Sequence, residues 1–289
     1  MSNNGSPSGP GDVGRATWAL SALLIAATAV ATVTALTMPE LLHGPAVMVG
    51  SMRGTALVEL ILAIPILAVA IAAARNGSLF GVAGWIGCTA FLAYQSWMFL
   101  FAVPFNGLFL VYVVGFGAGF WALVALLTRV PFAQYAASFT PALPARLLGG
   151  WMIASCVAFY ALWLKNVVPA LSASESPAFL AGTGMVTATN YVLDMALFLP
   201  FAIVAAVGLW RRTAWGLVVG GAMLLMLTLE SVAIAVDQWF GAAADPASPI
   251  ASAAITPLFL LVAAITAAAL ALWVRGTVGV QRRRAAALG

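Results

Sequence analysis

Three carboxylic acids, Glu59, Asp194 and Glu230, stand inside apolar runs long enough to span a bilayer. A charged side chain at the centre of a membrane helix costs about 2.5–3.5 kcal/mol on insertion scales, so such residues face a bundle interior and mark a site. Gln95 and Asn190 are the amides expected beside them, and Thr187, Asn190 and Asp194 recur at helical spacing as one polar stripe. Glu230 and Asp237 are seven residues apart on one helix face, continued by Met223 and Met226. Two acids held close together favour sharing a single proton or cation.

Polar residues in the connecting segments complete the expected cavity. His43, Arg53, Asn106, Lys165 and Asp237 form its rim, and Glu59, Gln95, Asn190, Asp194 and Glu230 its ligand- or ion-binding wall. Other chemistry is missing. One histidine rules out bis-histidine haem ligation within the chain. No C-x-x-C, H-E-x-x-H, P-loop or nucleophile elbow occurs, so no catalytic residue, metal or cofactor is assigned. Gly115-Phe116-Gly117-Ala118-Gly119 lies inside an apolar run with no preceding strand and reads as helix packing rather than a nucleotide loop. His43 with Met38, Met48 and Met52 has copper-type ligands at loose loop spacing, and the simpler reading is an interfacial histidine. Cys88 and Cys156 read as small packing residues.

The elements that position these residues are helices. The chain has 289 residues, 64% hydrophobic and 7% charged, too few charges to cover a soluble globule of this size. Strand-type alternation is missing, which argues against a barrel. The fold class expected is all-α, a polytopic transmembrane bundle with spans at 15–37, 54–75, 79–102, 107–129, 148–169, 186–210, 213–236 and 254–275. With the N-terminus in the cytoplasm, ten Lys and Arg fall on the inner side, and only Arg53 and Lys165 on the outer. The net charge of +4 sets topology and is no nucleic-acid signal. Both termini are then cytoplasmic, and the acids in the spans all fall in the outer half. Trp18, Trp151, Trp210, Trp215 and Trp273 mark the inner interface, and Trp97, Trp163 and Trp239 the outer.

A shift of 135 residues aligns Glu59 with Asp194, Pro65 with Pro200, Gly81 with Gly216, and Gln95-Ser96 with Glu230-Ser231. This implies two four-span repeats in the same orientation, related by an axis along the membrane normal. The divisions are a disordered tail at 1–14, a first repeat at 15–129, a cytoplasmic connection at 130–147, a second repeat at 148–275, and a basic tail at 276–289. Arg282, Arg283 and Arg284 in that tail are a topology signal. Pro65 and Pro200 each follow their acid by six residues and are expected to kink the span and free a carbonyl beside it.

The run Tyr94-Gln95-Ser96-Trp97-Met98-Phe99, the segment Pro104-Phe105-Asn106-Gly107-Leu108, and Asn190-Tyr191-Val192-Leu193-Asp194 with Pro200 resemble a group of bacterial multi-span integral membrane proteins without assigned activity. That group carries Asn after the third-span tyrosine, so Gln95-Ser96 is a departure. The resemblance implies a bacterial inner-membrane setting and no activity.

The sequence therefore leads to a multi-pass protein of the bacterial cytoplasmic membrane. Its acidic cavity would bind a proton, a small cation or a small ligand, in a transporter-like role. The alternatives are a membrane enzyme acting on a lipid or quinone, and a structural or assembly protein in which the acids are helix–helix glue. The partner expected is the lipid bilayer, with no nucleic acid; oligomeric state and ligand identity are left open.

Overall fold

The computed structural model describes residues 13–175 and 177–288, whose regular structure is all helical, with no strand among them. Eight long helices occur: α1 Arg15–Thr37, α2 Ala46–Arg75, α3 Leu79–Phe101, α4 Phe109–Arg129, α5 Ala145–Ala170, α6 Thr189–Trp210, α7 Ala214–Ala244 and α8 Thr256–Leu288. Seven are long and apolar enough to cross a membrane. The remaining one, α3, has 23 residues and lies deepest in the bundle. Its apolar character is diluted by Gly81, Gly84, Gly87, Tyr94, Gln95 and Ser96, nearly all of them buried. A helix shielded by protein on every side does not need a lipid-compatible surface.

Helix ends depart from the expected spans. α2 starts at Ala46 rather than 54, α7 runs to Ala244 rather than 236, and α6 starts at Thr189 rather than 186. Thr187 therefore precedes the helix and is not on the Asn190–Asp194 stripe. Backbone helix continues to Leu288 through the segment read as a basic tail, and the side chains of Arg282, Arg283 and Arg284 lie outside the described residues. The expected tail falls mostly on residues 1–12, also outside them. Val13 is buried and its carbonyl accepts from Thr17 Oγ1 at 2.7 Å.

The two prolines do more than kink. Glu59–Ala63 and Asp194–Phe198 are π-helical turns, each opening on the acid and closing two residues before the proline. Ile64 N–H bonds to the Glu59 carbonyl, and Leu199 N–H to that of Asp194. A proline lacks an N–H and crowds the carbonyl four residues back; one widened turn relieves both. The helices then continue through Arg75 and Trp210. Each is followed by a tight turn and a hydroxyl N-cap: Ser78 Oγ accepts from Gly81 N at 3.2 Å, and Thr213 Oγ1 from Gly216 N at 3.1 Å. Every one of these features is repeated at the same 135-residue spacing.

α3 and α7 cross at the centre through small residues, with Gly87 against the Ala222 carbonyl. α2 packs closely on α7 where Gly50 and Gly54 face Phe240, Gly241, Val236 and Asp237. Arg212 clasps the connection between α4 and α5, its guanidinium donating to the Leu143 carbonyl at 3.0 Å and the Thr140 carbonyl at 2.6 Å. Arg212 thereby has a structural role at this connection.

The two outer flanks differ. α1 packs along α4 and has buried residues from Thr17 to Ala35. α5 packs along α6 but touches α7 and α8 only sparsely, and none of its residues beyond Cys156 is buried.

Candidate functional site

Asp194 opens the π turn of α6 and is 7% exposed. Both of its oxygens are engaged: Tyr94 Oη donates to Oδ1 and Trp163 Nε1 to Oδ2, each at 2.9 Å. Three helices thus meet on one carboxylate. On α3 the next residue, Gln95, donates from Nε2 to Glu230 Oε2 of α7 at 2.8 Å. Hydrogen bonds to buried polar groups are costly to leave unmade. These bonds tie α3, α5, α6 and α7 together on the stretch of α5 beyond its last fully buried residue, Cys156.

α5 is held to α6 by a polar ladder. Tyr160 Oη donates to the Met195 carbonyl at 2.7 Å, Trp163 to Asp194, and Asn166 Nδ2 to Tyr191 Oη at 3.1 Å. The donors recur every third residue, so they lie along one face. The Trp163 and Tyr191 rings stack at 4.2 Å.

Beside this ladder lies a cavity of about 980 Å³, whose lining includes the polar Gln95, Asp194, Glu230 and Asp237 and the aromatic Phe159, Trp163, Tyr191 and Phe259. Its ionisable lining is four acids and one base, Asp194, Glu230, Asp237 and Glu175 against Lys165. Asp237 accepts from Gln238 Nε2 at 3.1 Å, and Gln238 Oε1 receives Ser252 N–H at 3.1 Å, which closes the loop before α8 over this end.

The residues read as a binding wall divide. Gln95, Asn190, Asp194 and Glu230 all line the cavity, as do Lys165 and Asp237 of the expected rim. Glu59 does not. It is 1% exposed in α2, and its Oε2 has no hydrogen-bond partner. The residue 135 positions after Tyr94 is Leu229, which has no hydroxyl. His43, Arg53 and Asn106 lie elsewhere. His43 Nδ1 is 3.3 Å from the Phe105 carbonyl, and buried Asn106 accepts from Leu108 N–H at 2.9 Å, capping the turn into α4. Arg53 Nε is buried without a partner. Met223 and Met226 belong to the core rather than the cavity.

Tyr94, Tyr160, Trp163 and Asn166 were not singled out as site residues. Trp163 reads as an interfacial anchor because tryptophan commonly is one, yet its N–H is spent on a carboxylate. The findable signal was the three-residue spacing of Tyr160, Trp163 and Asn166. Among the described residues, no group of three or more His, Cys, Asp or Glu is arranged to hold a metal ion. No family model, no curated protein and no solved structure matches the chain.

Proposed function

We propose that this is an eight-span protein of the bacterial cytoplasmic membrane, built from two four-span repeats of the same orientation, with both termini inside. The cavity then opens in the outer half of the bilayer and takes up a proton, a small cation or a small ligand in cation-linked transport. The single observation that carries this is the meeting of Asp194 and Glu230, from separate helices, on one cavity with Gln95 and Tyr94 between them. The duplicated π turns and N-caps support the repeat, because unrelated segments have no reason to share four local features in one register. A helix-glue role alone would leave no void around the carboxylates, and a cavity of this size counts against it.

The sparse contact of α5 with α7 and α8 favours one second reading, an enzyme acting on a lipid or quinone that enters from the side. The test is proton and cation flux in proteoliposomes with Asp194→Asn and Glu230→Gln. The transport reading expects at least a tenfold loss in either variant; unchanged flux in both overturns it.

A further inference from the structure

The cavity joins two properties that rarely coincide in a membrane interior. Its floor is acidic, with Asp194, Glu230 and Asp237 against the single base Lys165 nearer the end of α5. Its walls are aromatic, with Phe159, Trp163, Tyr191 and Phe259. A site for a proton or a metal ion alone needs no aromatic wall, and a site for a neutral lipid tail needs no acids. Aromatic faces beside carboxylates are the arrangement that holds an organic cation, by quadrupole attraction and charge pairing together.

The access route points the same way. On one flank α1 covers α4 along its length, whereas on the other α5 stands off α8. No residue of α5 beyond Cys156 is buried, and α8 has none before Ala263. Leu162 and Phe259 face the cavity from the two sides of that gap. The helices bordering it carry exposed aliphatic residues, Val157, Leu164, Leu258 and Leu261, so the gap faces acyl chains. A molecule entering there must itself be lipid-soluble.

Resting on the cation-binding reading above, we propose that the cavity takes a lipophilic organic cation, an amine or quaternary centre on an apolar body, through a lateral gap between α5 and α8. The apolar body lies against Phe159 and Phe259, and the charged centre reaches Glu230 and Asp237. Asp194 shapes the wall by fixing Trp163 and Tyr94.

The experiment is binding of tetraphenylphosphonium to the full chain in non-ionic detergent, with tetraphenylborate as the matched anion and tryptophan fluorescence as the signal. The expected result is saturable binding of the cation and at least tenfold weaker binding of the borate. Glu230→Gln, which keeps an amide able to pair with Gln95, weakens the cation at least tenfold. Leu162→Trp adds bulk at the exposed gap without touching an acid, and slows association while leaving the unfolding temperature in place. Equal binding of the two ions overturns the inference, as does unchanged affinity in Glu230→Gln. A second copy of the chain seated in the gap, seen as a dimer that excludes the probe, overturns it too. Proton flux without phosphonium binding removes this inference and leaves the transport reading standing; phosphonium binding without flux does the reverse.

Discussion

Gln95 donates to Glu230 at 2.8 Å across a separation of 135 residues, the same number that separates the two π-turn acids. Under the proposed duplication these two are equivalent positions. Equivalent residues touch only on the axis that relates the halves, and Gly87 against Ala222, also 135 apart, is a second such contact two turns away. On that duplication the line through both contacts is the axis relating the two halves.

The axis contact gives a stability prediction. Gly87→Ala drives a methyl to 2.5 Å from the Ala222 carbonyl. Overpacking of this kind costs about 1–3 kcal/mol. Thermal unfolding in detergent is expected to shift down, with the mirror change Ala222→Gly having a smaller effect. An unshifted midpoint for Gly87→Ala denies the close crossing.

Tyr94→Phe and Trp163→Phe each remove one donor from a buried carboxylate, a loss of about 1–3 kcal/mol apiece. Because both serve Asp194, their effects are not additive, and combined with Asp194→Leu each should matter far less. A double-mutant cycle by denaturant unfolding reads this directly.

Glu59 runs the other way. An orphaned buried carboxylate oxygen is a cost, so Glu59→Gln or Glu59→Met is expected to raise stability by about 1–3 kcal/mol while leaving phosphonium binding unchanged. Loss of binding in Glu59→Met would place Glu59 in the working site after all.

Whether α3 crosses the membrane is settled at its two ends. Asn76 and Phe105 are both exposed. Asn76→Cys and Phe105→Cys differ in their expected response to an impermeant thiol reagent on intact cells: only the second is labelled, since native Cys88 and Cys156 are buried. Labelling of both or of neither removes α3 from the spans and with it the eight-span arrangement.

The all-helical architecture with membrane-length helices was legible because hydrocarbon length is a coarse, strong signal. The pairing of Glu59 with Asp194 and of Gln95 with Glu230 was visible for the same reason: polar residues are rare enough in this chain to act as markers. What the sequence did not give up is which marker keeps its partners. Asp194 finds Tyr94 and Trp163, while Glu59 Oε2 finds no partner, and that difference depends on residues remote in the chain. The π turns were equally hidden. A proline announces a disturbed helix, but whether the disturbance is a bend or an inserted residue depends on what the neighbouring helices allow.

The polar ladder on α5 has a last consequence. A helix held along its far half by a few directional bonds and ring contacts, with no fully buried residue there, yields to sideways force more readily than one set into a core. On the lateral-gap proposal acyl chains form the remaining side of the chamber, and its width is expected to follow the lateral pressure of the leaflet around it. Exchanging lipid for detergent is then expected to change the shape of the chamber as well as its surroundings.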